Sequence, residues 1–82
     1  MTSGFVFLKL KQGSKVSPID VAEEVAKKDG VEEVLLISGE WHILVRYAYE
    51  KMSDLSKFVV DELESIGEVG ETDTVVVLDK IK

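Results

Sequence analysis

The stretch “LLISGEWHILV”, residues 35–45, decides how this chain folds. Two apolar runs flank a short polar break that contains the chain's single tryptophan, Trp41, and its single histidine, His42. The break is too short for anything but a tight turn, which its glycine allows. The pattern predicts an antiparallel hairpin of two strands, residues 31–38 and 41–49. It leaves open whether the turn is also a binding site.

The segments on either side of the hairpin complete the fold. Residues 4–11 have the alternation and β-rich composition of a strand, and residues 71–78 have the composition of a last strand. Residues 16–30 and 52–67 have helical periodicity. The order β-α-β-β-α-β is the ferredoxin-like arrangement of the α+β class, a four-stranded antiparallel sheet with two helices on one face. No linker or repeat interrupts the order, so residues 1–82 are predicted to form a single domain.

Capping residues predict where the helices begin and end. Ser17 is the expected N-cap of the first helix, with Pro18 at the first helical position and Gly30 at the stop. Ser53 and Gly67 are the corresponding residues of the second helix. The apolar stripes expected to face the sheet are Val21, Ala22, Val25 and Ala26 in the first helix, and Leu55, Phe58, Val59, Leu63 and Ile66 in the second.

The face of the sheet opposite the helices is predicted to be apolar as well. Phe5 and Phe7 lie on that side of the first strand, and residues 75–78, “VVVL”, are apolar on both sides. The third strand is predicted to carry Trp41, Ile43, Val45 and Tyr47 on one side, and His42, Leu44 and Arg46 on the other. A large apolar patch is uncommon on a monomer. We therefore expect a second copy to pack sheet against sheet, as a dimeric α+β barrel. The alternative is a monomer whose apolar face carries the charges of Lys9 and Lys11.

Composition excludes several classes of protein. The net charge is −6 and the ten basic residues are scattered, which argues against binding to nucleic acid or to an anionic membrane. No segment approaches the length of a membrane span or resembles a signal peptide, so we expect a cytoplasmic protein. Without cysteine there is no thiol chemistry or sulfur metal site. The lack of asparagine, with many lysines and glutamates, is typical of thermophile proteins.

Three segments resemble the effector-binding module, or RAM domain, of the Lrp/AsnC family of transcription regulators. They are “FVFLKLKQGS” (5–14), “DGVEEVLLISGEWHILVRY” (29–47) and “IGEVGETDTVVVL” (66–78). Their order and spacing match over residues 4–78. The chain lacks the helix-turn-helix domain of family members that bind DNA, so it resembles a stand-alone form of the module, and direct DNA binding is not expected.

The resemblance implies dimers that pack through their sheets, assembly into rings, and a small effector, commonly an amino acid, at the junction between dimers. The residues that match the family's ligand turn and closing strand are Ser38, Gly39, Glu40, Trp41, His42, Thr72, Asp73 and Thr74. Where His42 stands, the family usually has an acidic residue that orients the bound amino acid. Other Lrp/AsnC-type regulators are the implied protein partners.

Each of these residues also has a purely structural interpretation. Gly39 suits the backbone of a turn, although an N–H group there could bind a carboxylate. Trp41 is either an interface anchor or a surface that stacks on a ligand. His42 is either a hydrogen-bonded structural residue or a donor to a carboxylate. Thr72 and Thr74 lie on one side of a strand, as β-formers or as hydroxyls that face a ligand.

The sequence therefore predicts a non-enzymatic module that binds an effector, oligomerises and modulates transcription-related assemblies. We predict no cofactor and no metal site, because one histidine without cysteine makes a poor ligand set. A second hypothesis is a structural or interaction protein without a ligand. A third is a cofactor-independent enzyme of the dimeric α+β barrel type, with His42 as the polar residue of an apolar cavity.

Overall fold

The structure, a computed structural model, describes residues 1–82 and contains four strands and two helical segments. Their bounds are β1 Thr2–Leu10, α1 Pro18–Ala26, β2 Val31–Leu36, β3 Ile43–Tyr49, α2 Met52–Lys57 with a π-helical continuation Phe58–Leu63, and β4 Val69–Val76. The strands form one sheet in the order β2-β3-β1-β4, and all neighbouring strands are antiparallel. This confirms the predicted ferredoxin-like fold.

Strand register divides the sheet into a covered face and an open face. Leu8 pairs with Ile43 and Val6 with Val45, and all four side chains are fully buried on the covered face. The intervening residues of β1, among them Phe7, lie on the open face and are only partly buried. The core consists of Val6, Leu8, Leu10, Val21, Ala22, Val25, Ile43, Val45, Tyr47, Leu55, Phe58, Leu63, Ile66 and Val69. The hydrophobic core thus lies entirely on the helix side of the sheet.

Gly4 leaves room for Tyr47, the largest side chain of the core, to reach across β1. Gly4 pairs with Tyr47 on β3, and the Tyr47 hydroxyl donates a hydrogen bond of 2.9 Å to the Val75 carbonyl on β4. A Cβ at Gly4 would lie 2.7 Å from the Tyr47 Oη and would collide with the Val75 carbonyl oxygen. Burial raises the pKa of Tyr47, so its hydroxyl keeps the proton that it donates.

α1 begins as the sequence predicts. Ser17 is its N-cap and accepts a hydrogen bond of 3.2 Å from the Ile19 N–H, and Pro18 is the first helical residue. The helix ends at Ala26, earlier than predicted, and Gly30 adopts a φ of 85° just before β2. Ala26 is exposed, so its assignment to the buried stripe was wrong.

The second helix departs from the prediction in two ways. It begins at Met52 after Lys51, which offers no side-chain cap, so the assignment of Ser53 as its N-cap was wrong. From Phe58 to Leu63 the helix widens into a π-helix. In an α-helix, two residues that are five positions apart lie on different sides. In a π-helix, each N–H bonds to the carbonyl five residues earlier, which brings such residues to the same side. The widening accordingly buries both Phe58 and Leu63 against the sheet.

The connection between β2 and β3 is longer than predicted. β2 ends at Leu36 and β3 begins at Ile43, so the connection comprises residues 37–42 and not Gly39 and Glu40 alone. One backbone hydrogen bond of 3.1 Å, from the Ile37 N–H to the His42 carbonyl, closes this segment. Neither helical segment has the length and hydropathy of a membrane span.

Candidate functional site

Trp41 lies on the open face of the sheet. Its ring packs against Phe7, with ring centroids 6.0 Å apart, and the Lys9 Nζ lies 5.1 Å from the centroid of the indole. The prediction that Trp41 shares a side with Ile43 and Val45 was wrong, because strand alternation does not extend into residues 37–42. Trp41 therefore adds an aromatic ring to the apolar open face, with a cation above it.

The His42 side chain provides a hydrogen-bond partner that the end of β1 would otherwise lack. The backbone N–H of His42 donates to the Leu8 carbonyl at 2.9 Å, and its Nδ1 accepts a hydrogen bond of 3.0 Å from the Leu10 N–H. The regular pairing of β1 with β3 ends at Leu8 and Ile43, so the His42 side chain pairs a backbone donor, the Leu10 N–H, that the ladder no longer reaches. This bond to Leu10 holds the His42 ring at the backbone of β1.

A cleft of about 790 Å³ opens at this end of the sheet. Its lining comes from the end of β1, the loop before α1, the β2–β3 connection and the start of β4. The residues are Lys9, Leu10, Lys11, Gln12, Gly13, Ser14, Val16, Pro18, Glu40, His42, Gly70 and Glu71. The cleft contains two of the residues predicted for the ligand site, Glu40 and His42.

The other predicted residues lie outside the cleft lining. Ser38 and Gly39 are exposed in the connection, where Gly39 adopts a φ of 109° and a Cβ would meet open space. Gly39 thus has a clear backbone role. Thr72 and Thr74 share one side of β4, opposite Leu8 and Val6, whereas Asp73 faces the other way, opposite Phe7.

The loop after β1 and the start of β4 were missed by sequence reasoning. Gln12, Gly13 and Ser14 line the cleft, and Gly13 adopts a φ of 80°. The backbone N–H groups of Gln12 and Gly13 have no partner within the protein. The Gly-Ser pair after an apolar strand was the available signal for this loop, but nothing in the sequence placed it beside Glu71.

Charge in the cleft is mixed. Lys9 pairs with Glu40 at 3.4 Å, while Lys11 and Glu71 form no ion pair. The Lys9–Glu40 pair is exposed on the glutamate side and therefore contributes little stability. The cleft consequently offers both an unpaired cation with free N–H donors and an unpaired carboxylate. Such an arrangement suits a small ligand that carries both charges.

No group of three or more histidine, aspartate and glutamate side chains lies close enough to hold a metal ion.

The fold and the cleft define a small ferredoxin-like domain with an open cleft at one end of its sheet. The sequence model of the family described as “Lrp/AsnC ligand binding domain” matches residues 3–82 of this chain. The chain therefore belongs to the Lrp/AsnC family. The family consists of regulatory ligand-binding domains rather than enzymes, so the enzyme hypothesis is not supported.

Curated relatives are transcription regulators. The chain is 35% identical over 81 residues to an uncharacterized HTH-type transcriptional regulator of Pyrococcus abyssi, covering 99% of this chain and 54% of that protein. It is 36% identical over 81 residues to another from Pyrococcus furiosus, again covering 99% and 54%. The chain thus spans about half the length of the curated relatives that it matches.

Solved structures share the fold. A Neisseria meningitidis transcriptional regulator in complex with L-Met has a TM-score of 0.85 and 26% identity, covering 99% of this chain and 52% of that one. A Thermus thermophilus protein has a TM-score of 0.88 and 18% identity, with 100% and 99% coverage. The AsnC protein of E. coli has a TM-score of 0.79 and 21% identity, with 99% and 53% coverage. The last two likenesses concern the fold alone.

Proposed function

We propose that this domain binds an amino-acid effector in the strand-end cleft and that binding changes the assembly of transcription-related proteins. The observation that carries the proposal is that one open cleft contains both a cation, Lys11, and a carboxylate, Glu71. Neither of them forms an ion pair within the protein. A free amino acid carries a carboxylate and an ammonium group on the same carbon atom. It therefore requires both kinds of partner within a few ångströms.

The two ends of the cleft suit the two charged groups of such a ligand. Lys11 and the free N–H groups of Gln12 and Gly13 form a donor end that suits a carboxylate. Glu71 provides an acceptor for an ammonium group. The complex of the Neisseria regulator with L-Met supports the choice of an amino acid, since that protein shares the fold at 26% identity.

The open face supports a second part of the proposal, a dimer through the sheet. Phe5, Phe7, Trp41 and Leu44 are partly buried there, and Val75 is 41% exposed. A second copy placed sheet to sheet, about 10 Å away, would cover this surface in the way that paired sheets form a core. Regulators that contain the same domain are the proposed partners other than a second copy of this chain.

Assembly gives the ligand a route to a regulatory output. The cleft opens at the rim of the sheet, where residues of the loop after β1 and of the β2–β3 connection are exposed to solvent. A neighbouring dimer in a larger assembly would meet them there. A ligand held there shifts the population of assemblies only by its difference in affinity between them. The proposal therefore requires that binding and assembly be coupled.

Calorimetric titration of the protein with each standard L-amino acid tests the proposal. We expect saturable heat from one or a few of them. Lys11→Gln and Glu71→Gln should each weaken that binding about tenfold or more, because each removes one charged partner. Lys28→Gln is the matched control, since Lys28 pairs with Glu62 and does not line the cleft.

The absence of heat with every amino acid would contradict effector binding. It would favour the second hypothesis, a structural or interaction protein that acts through its apolar open face. Light scattering with and without the bound amino acid tests the coupling, and an unchanged mass distribution would remove assembly as the output.

A further inference from the structure

The backbone fixes the hydrogen-bonding state of the His42 side chain in the cleft. Its Nδ1 lies 3.0 Å from the Leu10 nitrogen, and a backbone N–H can only donate. Nδ1 must therefore accept and cannot carry a proton. The neutral ring then carries its proton on Nε2, so the fold determines the tautomer.

The Nε2–H group of His42 is available to a bound molecule. Nε2 has no partner within the protein, and no buried side-chain nitrogen or oxygen is left unpaired, so this atom reaches solvent. His42 also lines the cleft. In this tautomer the ring offers the cleft a hydrogen at Nε2 and no lone pair.

We propose that His42 is the residue that determines ligand orientation and specificity in the cleft, by donating its Nε2–H to the ligand's carboxylate. This inference rests on the proposed function. A fixed donor accepts no hydrogen bond from an ammonium group, so the ammonium must lie toward Glu71 instead. Lys9 is already engaged by Glu40 and Trp41, which leaves Lys11 as the cation that shares the carboxylate with His42.

The inference defines a class of ligand. A molecule with a free carboxylate is required, and an amino-acid carboxamide places an NH₂ group where His42 and Lys11 both donate. A 2-oxo acid keeps the carboxylate and lacks the ammonium, so it loses only the contact with Glu71. The cleft should therefore rank amino acids first, the matching 2-oxo acids second and the carboxamides last.

Two substitutions separate the structural role of His42 from its role in binding. In His42→Asn and His42→Asp, an oxygen attached to Cγ, as Nδ1 is, can still accept from the Leu10 N–H. His42→Asn lacks a donor at the position of Nε2. His42→Asp adds an acceptor and a negative charge. His42→Ala leaves the Leu10 N–H without its partner.

The experiment titrates each variant with the standard L-amino acids, their carboxamides and their 2-oxo acids. For the wild-type protein we expect at least one amino acid to bind about tenfold or more tightly than its carboxamide, since a charge-assisted hydrogen bond is replaced by a clash of donors. His42→Asn should weaken binding of that amino acid about tenfold, and His42→Asp should abolish the preference for the acid over the amide.

Hydrogen exchange of the Leu10 amide is the second measurement. It should stay slow in His42→Asn and His42→Asp and become faster in His42→Ala. Equal affinity for acid and amide in the wild-type protein, or unchanged affinities in both variants, would overturn the inference and leave the proposed function standing. Failure of every amino acid to bind the wild-type protein would overturn both.

Discussion

The two faces of the sheet differ in how much of their apolar surface the chain itself covers. On the covered face, Val6, Leu8 and Val45 are fully buried beneath the helices. On the open face, the neighbouring Phe7 and Leu44 remain partly exposed although they occupy the same two strands. The helices of the same chain cover one face, whereas the other face is apolar and has no such cover. The difference supports the proposal that copies associate through the side of the strands that folding of the monomer leaves uncovered.

The largest expected difference between the faces comes from two leucines. Leu8→Ala empties a fully buried site, and we expect it to lower the free energy of unfolding by about 3 kcal/mol. Leu44→Ala on the open face should cost about 1 kcal/mol or less in the dissociated monomer. Urea denaturation measures both. Equal losses at low protein concentration would show that the faces do not differ in the way described.

The tight crossing at Gly4 sharpens the account of the covered face. Gly4→Ala places a methyl group against the Val75 carbonyl and the Tyr47 hydroxyl, and we expect it to lower the free energy of unfolding by about 2 kcal/mol. Gly67→Ala is the matched control, because a Cβ there meets open space. Thermal denaturation compares the two proteins. A tolerated alanine at Gly4 would mean that Tyr47 does not have to cross β1 as described.

The smallest effect is expected from charge on the open face. Arg46 lies 3.7 Å from Glu32 and 3.4 Å from Glu33, and all three side chains are about half exposed. Solvent screens such pairs, so Arg46→Gln should change the free energy of unfolding by less than about 0.5 kcal/mol. Denaturation at low and high salt checks this. A loss as large as that of Leu8→Ala would mean that the open face is a core in its own right.

Much of the fold follows from local patterns in the sequence. The alternation in β1, the Ser17 cap with Pro18, and the hairpin between β2 and β3 were each predictable because the chemistry is local. The π-helical segment from Phe58 was not predictable in this way. Its widening depends on what packs against it, and an α-helical stripe describes the same sequence almost as well.

The candidate site was predictable only in part. Glu40 and His42 were identified as site residues, and both line the cleft. The predicted orientation of Trp41 was wrong because Trp41 precedes β3, which begins at Ile43, and regular strand alternation does not extend to it. Lys11 and Glu71 were missed because the pairing of β1 with β4 brings them to one cleft, and such pairing is not visible in a single sequence.

The central claim is that the open face is completed by a second copy of this chain. Sedimentation velocity over the micromolar range tests it directly, with the wild-type protein beside Phe7→Lys. Asp73 lies opposite Phe7, so a lysine there gains a partner of opposite charge and leaves the monomer folded. The account predicts a dimer or larger assembly for the wild-type protein and a folded monomer for the variant. A wild-type monomer at these concentrations, or an unchanged assembly in the variant, would contradict it.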